Sequence, residues 1–220
     1  IEYYRSILER RPEHEDANTA LRGLLENEDY RLDASRVLES VYERTEQHEK
    51  HAEILEIQLA EESDPYAQVE LLKHIADLHQ NKLGNYDSAF HDYARIVKLD
   101  QDSAYLEQIE NLSEILNNTA ALVEVYKEVV GNVYDPELQV SLNNKLAGYL
   151  QNRLDDEAQA ETYYKATLEV QADDSLALDA LDAIYSKRES WKDLLDILDA
   201  KLQANVDPEA QMPLLYRTAE

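Results

Sequence analysis

Cysteine is absent from this chain. Disulfide frameworks, thiolate zinc sites and cysteine nucleophiles are excluded with it. Glycine occurs four times and proline five times in 220 residues. A β-sandwich or barrel of this size needs many tight turns and uses more of both. No run of about 18 apolar residues exists, so nothing in the sequence reads as a membrane-spanning helix. No signal peptide is visible, which leans the reading toward the cytoplasm. The chain starts at Ile1 in a helical pattern and ends at Glu220 inside another. It therefore reads as a piece of a longer protein.

Positive charge is also scarce. Lys and Arg number 21 against 47 Asp and Glu, a net charge of −26. That balance argues against nucleic acid, whose binding rests on cationic contacts to phosphate. It argues equally against anionic membrane surfaces. A basic partner is the natural complement, because such a field speeds association by roughly ten- to a thousand-fold at low salt. The plainer reading is that acidity keeps a long surface soluble.

What is abundant favours helix: Leu, Ala, Glu, Asp, Lys and Arg dominate. The chain also repeats itself. Asp-Pro occurs at Asp64-Pro65, Asp135-Pro136 and Asp207-Pro208, at spacings of 71 and 72. Val69, Leu71, Ile75 and Ala76 return as Val140, Leu142, Leu146 and Ala147, then as Met212, Leu214, Thr218 and Ala219. Leu83 matches Leu154, Ala89 matches Ala160, and Tyr93 matches Tyr164. Residues 34–66 align with 177–209, which sets His48 over Trp191.

Each period holds four amphipathic patterns. Tyr86, Ala89, Phe90, Tyr93, Ile96 and Val97 share one helical face. So do Leu106, Ile109, Leu112, Ile115 and Leu116, and Trp191, Leu194, Leu195, Leu198 and Leu202. Asp64, Asp135 and Asp207 are N-cap candidates, each followed by a proline suited to a first helical turn. Asn118-Thr119 and Ser190 are further cap candidates, and Gly84 and Gly131 fall where helices should stop. Thirteen helices are predicted, at 1–10, 13–27, 32–44, 48–61, 65–82, 86–99, 103–116, 119–130, 136–152, 156–170, 174–187, 190–204 and 208–220. The short loops require antiparallel hairpins. A lone hairpin cannot bury its own apolar face, so hairpins must stack into an all-α, right-handed solenoid. The expected organisation is one elongated domain: irregular hairpins over 1–64, four-helix periods over 65–135 and 136–207, and the start of a further repeat at 208–220.

These residues resemble the tetratricopeptide repeat, and the resemblance covers essentially the whole chain. Tyr4, Ile7 and Pro12 fit its closing pattern. In 68–101 its small, small and aromatic positions are Ala76, Ala89 and Tyr93; in 139–172 they are Ala147, Ala160 and Tyr164. Residues 103–135 and 174–206 resemble degenerate repeats, and Trp191 in SKRESWKDLLDIL is similar to variants in bacterial repeat proteins. Three departures stand out. The first helices of 68–101 and 139–172 are about one residue longer than the pattern, residues 13–33 add a helix outside the simple period, and Pro213 lies inside the last helix, where it would kink or delay it.

His48 and His51 fall on one helical face without a third metal ligand signalled nearby. Asp100-x-Asp102 begins like a calcium loop but lacks its glycine and final glutamate, which favours a helix cap. No Gly-rich phosphate loop, G-x-S-x-G or H-E-x-x-H is present. Asp155-Asp156 and Asp173-Asp174 read as caps. The expectation is a protein without cofactor, metal or catalytic function. Tyr93, Tyr164 and Tyr185 are expected in the core, with hydroxyls at its edge.

The resemblance implies a peptide groove lined by the first helix of each hairpin. It would place Lys73, Asp77 and Gln80 in that groove, then Glu107, Asn111 and Glu114, then Asn144 and Gln151. Only Lys73 and Asn144 are similar to the family's carboxylate-clamping residues, so a clamp for an acidic terminus is not expected. The resulting expectation is a scaffold that binds a basic or amphipathic segment of another protein. The competing readings are a spacer or self-assembly element of a larger protein, and an accessory region beside a catalytic domain.

Overall fold

The 71–72-residue period has a backbone counterpart. The computed structural model describes residues 1–205 and 207–219. They divide into two compact units, Ile1–Asn117 and Asn118–Glu220. The first unit holds α1 (Glu2–Arg10), α2 (Glu15–Leu24), α3 (Arg31–Arg44), α4 (His48–Glu61), α5 (Pro65–Asp77), α6 (Tyr86–Leu99) and α7 (Ser103–Ile115). Helix α5 runs on through a π-helical turn, Leu78–Lys82. The second unit holds α8 (Thr119–Val130), α9 (Pro136–Arg153), α10 (Glu157–Val170), α11 (Ser175–Arg188), α12 (Trp191–Ala204) and α13 (Pro208–Ala219). No strand occurs among the described residues. The fold is all-α, and within each unit successive helices pack as antiparallel hairpins.

Side-chain caps explain most helix starts. Asp64, Asp135 and Asp207 accept from the amides of Tyr66 (3.4 Å), Leu138 (2.8 Å) and Glu209 (3.1 Å). Asp102 and Asp174 do the same for α7 and α11, at 2.8 Å each. Ser190 precedes α12 without making a side-chain cap. Helix α2 lies in the stretch that looks irregular in sequence, yet it starts on the same beat. His14 caps α2, Asn85 caps α6 and Asp156 caps α10, at 71-residue intervals. Helix α2 is shorter than predicted because residues 25–27 close it with three-residue turns. Pro213 is accommodated within α13. The expected extension of that helix to Glu220 lies outside the described residues.

Helix ends repeat as well. Glu46, Asn117 and Glu189 all take left-handed φ (55°, 50° and 56°), one at the end of each corresponding helix. Gly84 (63°) and Asp155 (54°) form a second such series. The turn reverses the chain so that later amides reach back to carbonyls of the last helical turns. Gln47 donates to Tyr42 (2.9 Å), Ser190 to Tyr185 (3.0 Å), Asn85 to His79 (2.8 Å) and Asp156 to Leu150 (2.9 Å). Gly131 ends α8 without that conformation, at φ −66°. A side chain at Gly84 would meet open space, so only its φ resists substitution. Gly84→Ala is therefore expected to cost about 1 kcal/mol. Glu189→Gly should gain about 0.5–1 kcal/mol by relieving the same strain. Urea midpoints of the two variants check both signs.

The apolar stripes form the cores. In the first unit one cluster joins Leu8, Leu21, Leu38, Val41 and Ile54. A second joins Leu55, Leu72, Ile75, Leu78 and Ile96. In the second unit Leu142, Leu146, Ala160, Tyr164, Leu181 and Leu198 are at most 3 % exposed. Burying each leucine stabilises by roughly 1.5–3 kcal/mol. Four stripe members depart from the pattern. Tyr86, Ile115, Trp191 and Leu195 are 40 %, 59 %, 61 % and 44 % exposed.

Candidate functional site

In the first unit, α5 presents Lys73 and Asp77, with Gln80 half-buried in the π-helical turn. Lys73 Nζ donates to Glu70 at 2.9 Å, a bond that keeps its ammonium more basic than usual. Asp77 accepts from Asn81 at 2.7 Å. On α7, Glu107, Asn111 and Glu114 are exposed, while Leu106, Ile109, Leu112 and Ser113 beneath them are buried. The spacing of four and three explains this: it keeps the polar trio on one side of the helix. Burial first, then the nearby charge of Asp77 and Tyr105, raises the Tyr93 hydroxyl pKa. Lys73, Asp77, Tyr93 and Tyr105 thus form one electrostatic neighbourhood on α5, α6 and α7.

In the second unit the two groove candidates belong to the fold itself. Asn144 donates to Asp174 at 3.1 Å and accepts from the Thr167 hydroxyl at 3.0 Å, so it ties α9 to α10 and to the cap of α11. Gln151 accepts from the Tyr164 hydroxyl at 3.1 Å. Tyr185 donates to Glu161 at 2.9 Å. Tyr164 and Tyr185 are each 3 % exposed, as expected of core rings with hydroxyls at an edge. Tyr93 is half-buried.

Two charged clusters escape a sequence reading, because their partners lie on different helices. His79 Nδ1 stands 2.6 Å from Asp92 Oδ2, and Asp92 is 4 % exposed. Burial raises the Asp92 pKa, with His79 opposing it. Arg95, on the same helix, reaches both oxygens of Glu56 on α4 (2.5 and 3.1 Å). The set braces α4, the π-helical turn and α6. One period later the positions of His79, Asp92 and Arg95 hold Leu150, Tyr163 and Ala166. In the second unit Asp182, 7 % exposed, accepts from Lys201 (2.6 Å) and from both guanidinium nitrogens of Arg217 (2.8 and 2.6 Å). Burial opposes its charge, but the two cations outweigh that and bring its pKa down to about 2.

Among the described residues no group of three His, Cys, Asp or Glu side chains is placed to hold a metal ion. His51 is buried on α4, and burial lowers its pKa. Asp102, Asp156 and Asp174 are helix caps. No helix among the described residues is long and apolar enough to cross a membrane.

No family model matches the chain, and no curated protein does. Solved structures do. The complex of the TPR2AB domain of yeast Sti1 with pHSP90 is 11 % identical over 99 % of this chain and 96 % of that one, with a TM-score of 0.36. BtubC from P. vanneervenii is 16 % identical over 94 % and 92 %, with a TM-score of 0.37.

Proposed function

We propose that the chain is a non-catalytic scaffold that holds a basic segment of another protein along the α5–α7 face. The observation that supports this is the exposed row of Glu107, Asn111 and Glu114 beside Asp77, with Tyr105 at its edge. Acidic side chains left in water over a packed apolar layer attract a cationic partner at long range and fix its register at short range. The half-buried tyrosines add rings on which arginine stacks. Both units carry the acidic excess: 12 basic against 27 acidic residues in the first, 9 against 20 in the second.

An arginine- and lysine-rich peptide of about 15 residues, titrated into the chain by fluorescence anisotropy, tests the reading. Affinity should fall several-fold as salt rises from roughly 50 to 200 mM. The triple variant Asp77→Asn, Glu107→Gln, Glu114→Gln should bind about tenfold more weakly at low salt. Affinity indifferent to salt would remove the basic partner; an unchanged triple variant would remove this face.

A further inference from the structure

Helices α3, α7 and α11 occupy the same place in successive periods, so one face can be followed along the repeat. Arg36 on α3, Glu107 on α7 and Asp179 on α11 correspond. Ser40, Asn111 and Ala183 correspond one turn further on. All six are exposed, so this face is open wherever the repeat occurs. What changes is the sign of its charge: basic on α3, acidic on α7 and α11.

On α3 the basic residue lines a cleft. Arg5 from α1, with Arg36, Ser40 and Arg44 from α3, encloses about 190 Å³ over buried Leu8 and Val41. Steps of four put Arg36, Ser40 and Arg44 on one side of the helix. Arg44 donates to the carbonyls of Leu8 at 2.6 Å and Glu9 at 3.5 Å, which fixes the α3 wall against α1. Arg5 pairs with Glu2 at 2.9 Å, a contact within its own helix. Arg36 has no ion-pair or hydrogen-bond partner among the described residues. Glu9 is the one acid in the lining. The residue type is selective too. All seven basic residues before Lys50 are arginine, whereas lysine outnumbers arginine ten to four from Lys50 onward. A guanidinium fork meets a carboxylate with two parallel hydrogen bonds, which an ammonium cannot do.

We infer that the cleft between α1 and α3 is a subsite for carboxylate side chains of the bound segment, so that the partner carries acidic residues beside its basic stretch. This rests on the reading of α5–α7 as the seat of that basic stretch. Both ends of the face lie in the first unit. The partner's acidic residues meet Arg36 and Arg5, and its basic residues meet Glu107 and Glu114. The reversal of charge along one face sets the register of the segment and discriminates against a uniformly basic competitor.

Labelled peptides test this by fluorescence anisotropy at roughly 100 mM salt, where repulsion from the chain's overall negative charge is largely screened. One peptide is an arginine- and lysine-rich block alone. Two others add about four aspartates through a short Gly-Ser linker, at the N-terminus in one and at the C-terminus in the other. At least one acidic extension should tighten binding about three- to tenfold, although the net charge of the chain alone would make it weaken binding. Arg36→Glu, which places on α3 the residue α7 already carries at Glu107, should erase the gain without weakening the basic block. Arg5→Gln should reduce the gain about twofold. Extensions that gain nothing at either end, or a gain that survives Arg36→Glu, overturn the subsite. A basic block that does not bind at all overturns the α5–α7 reading instead, and the dipolar partner with it.

Discussion

Asp182→Ala is expected to cost the second unit about 3 kcal/mol, measured as a lowered urea midpoint at neutral pH. The carboxylate gathers Lys201 from α12 and Arg217 from α13 onto α11. Removing it strands two cations, and Lys201 is only 14 % exposed. Asp179 still holds that lysine at 2.7 Å, which keeps the loss at the lower end of the range for broken buried pairs. A loss below 1 kcal/mol would show that these contacts are no stronger than surface ion pairs. The acid limb gives a second reading. A carboxyl whose pKa is lowered on folding stabilises fully above its unfolded value, near 4, and loses that contribution as pH falls toward about 2. Asp182→Asn should flatten the stability profile across that window.

Asn143→Leu is expected to do the opposite and raise stability by about 2 kcal/mol. Asn143 is 1 % exposed, and its side-chain oxygen and nitrogen have no hydrogen-bond partner. Each buried polar group left unmade costs about 1–3 kcal/mol. The corresponding position one period earlier is Leu72, 1 % exposed in a continuous apolar cluster. Leucine is thus already proved at this place in the fold, although its larger side chain offsets part of the gain. Asn143→Ala removes the amide without filling the space, so it should be nearly neutral. Urea denaturation of both variants decides the matter; a destabilised leucine variant would mean that the site holds a bound water.

Much of this architecture is legible in the sequence, for physical reasons. Stripes at gaps of three and four locate the helices, and Asp-Pro steps locate starts to within a residue, because caps and N1 prolines are local chemistry. The left-handed ends at Glu46, Asn117 and Glu189 are invisible, since the usual glycine signal is missing. No composition change marks the division between the two units at Asn117. The site was less legible. Glu107, Asn111 and Glu114 are exposed as expected from their position on α7. Asn144 and Gln151 have the same polar character, yet their hydrogen bonds go to Thr167, Asp174 and Tyr164, residues 13 to 30 places away. Spacing along one helix cannot reveal a partner on another. Trp191 and Leu195 show the reverse failure: their stripe predicts burial, but burial requires a covering neighbour.

The recurring left-handed residues bear on how such a chain can grow. Glu46 and Asn117 share one backbone conformation, and each is followed by the N-cap of the next helix, Gln47 or Asn118. A second copy of residues 47–117 spliced in after Asn117 would meet, at both seams, a junction the backbone already makes. Gene duplication in units of four helices needs no new turn.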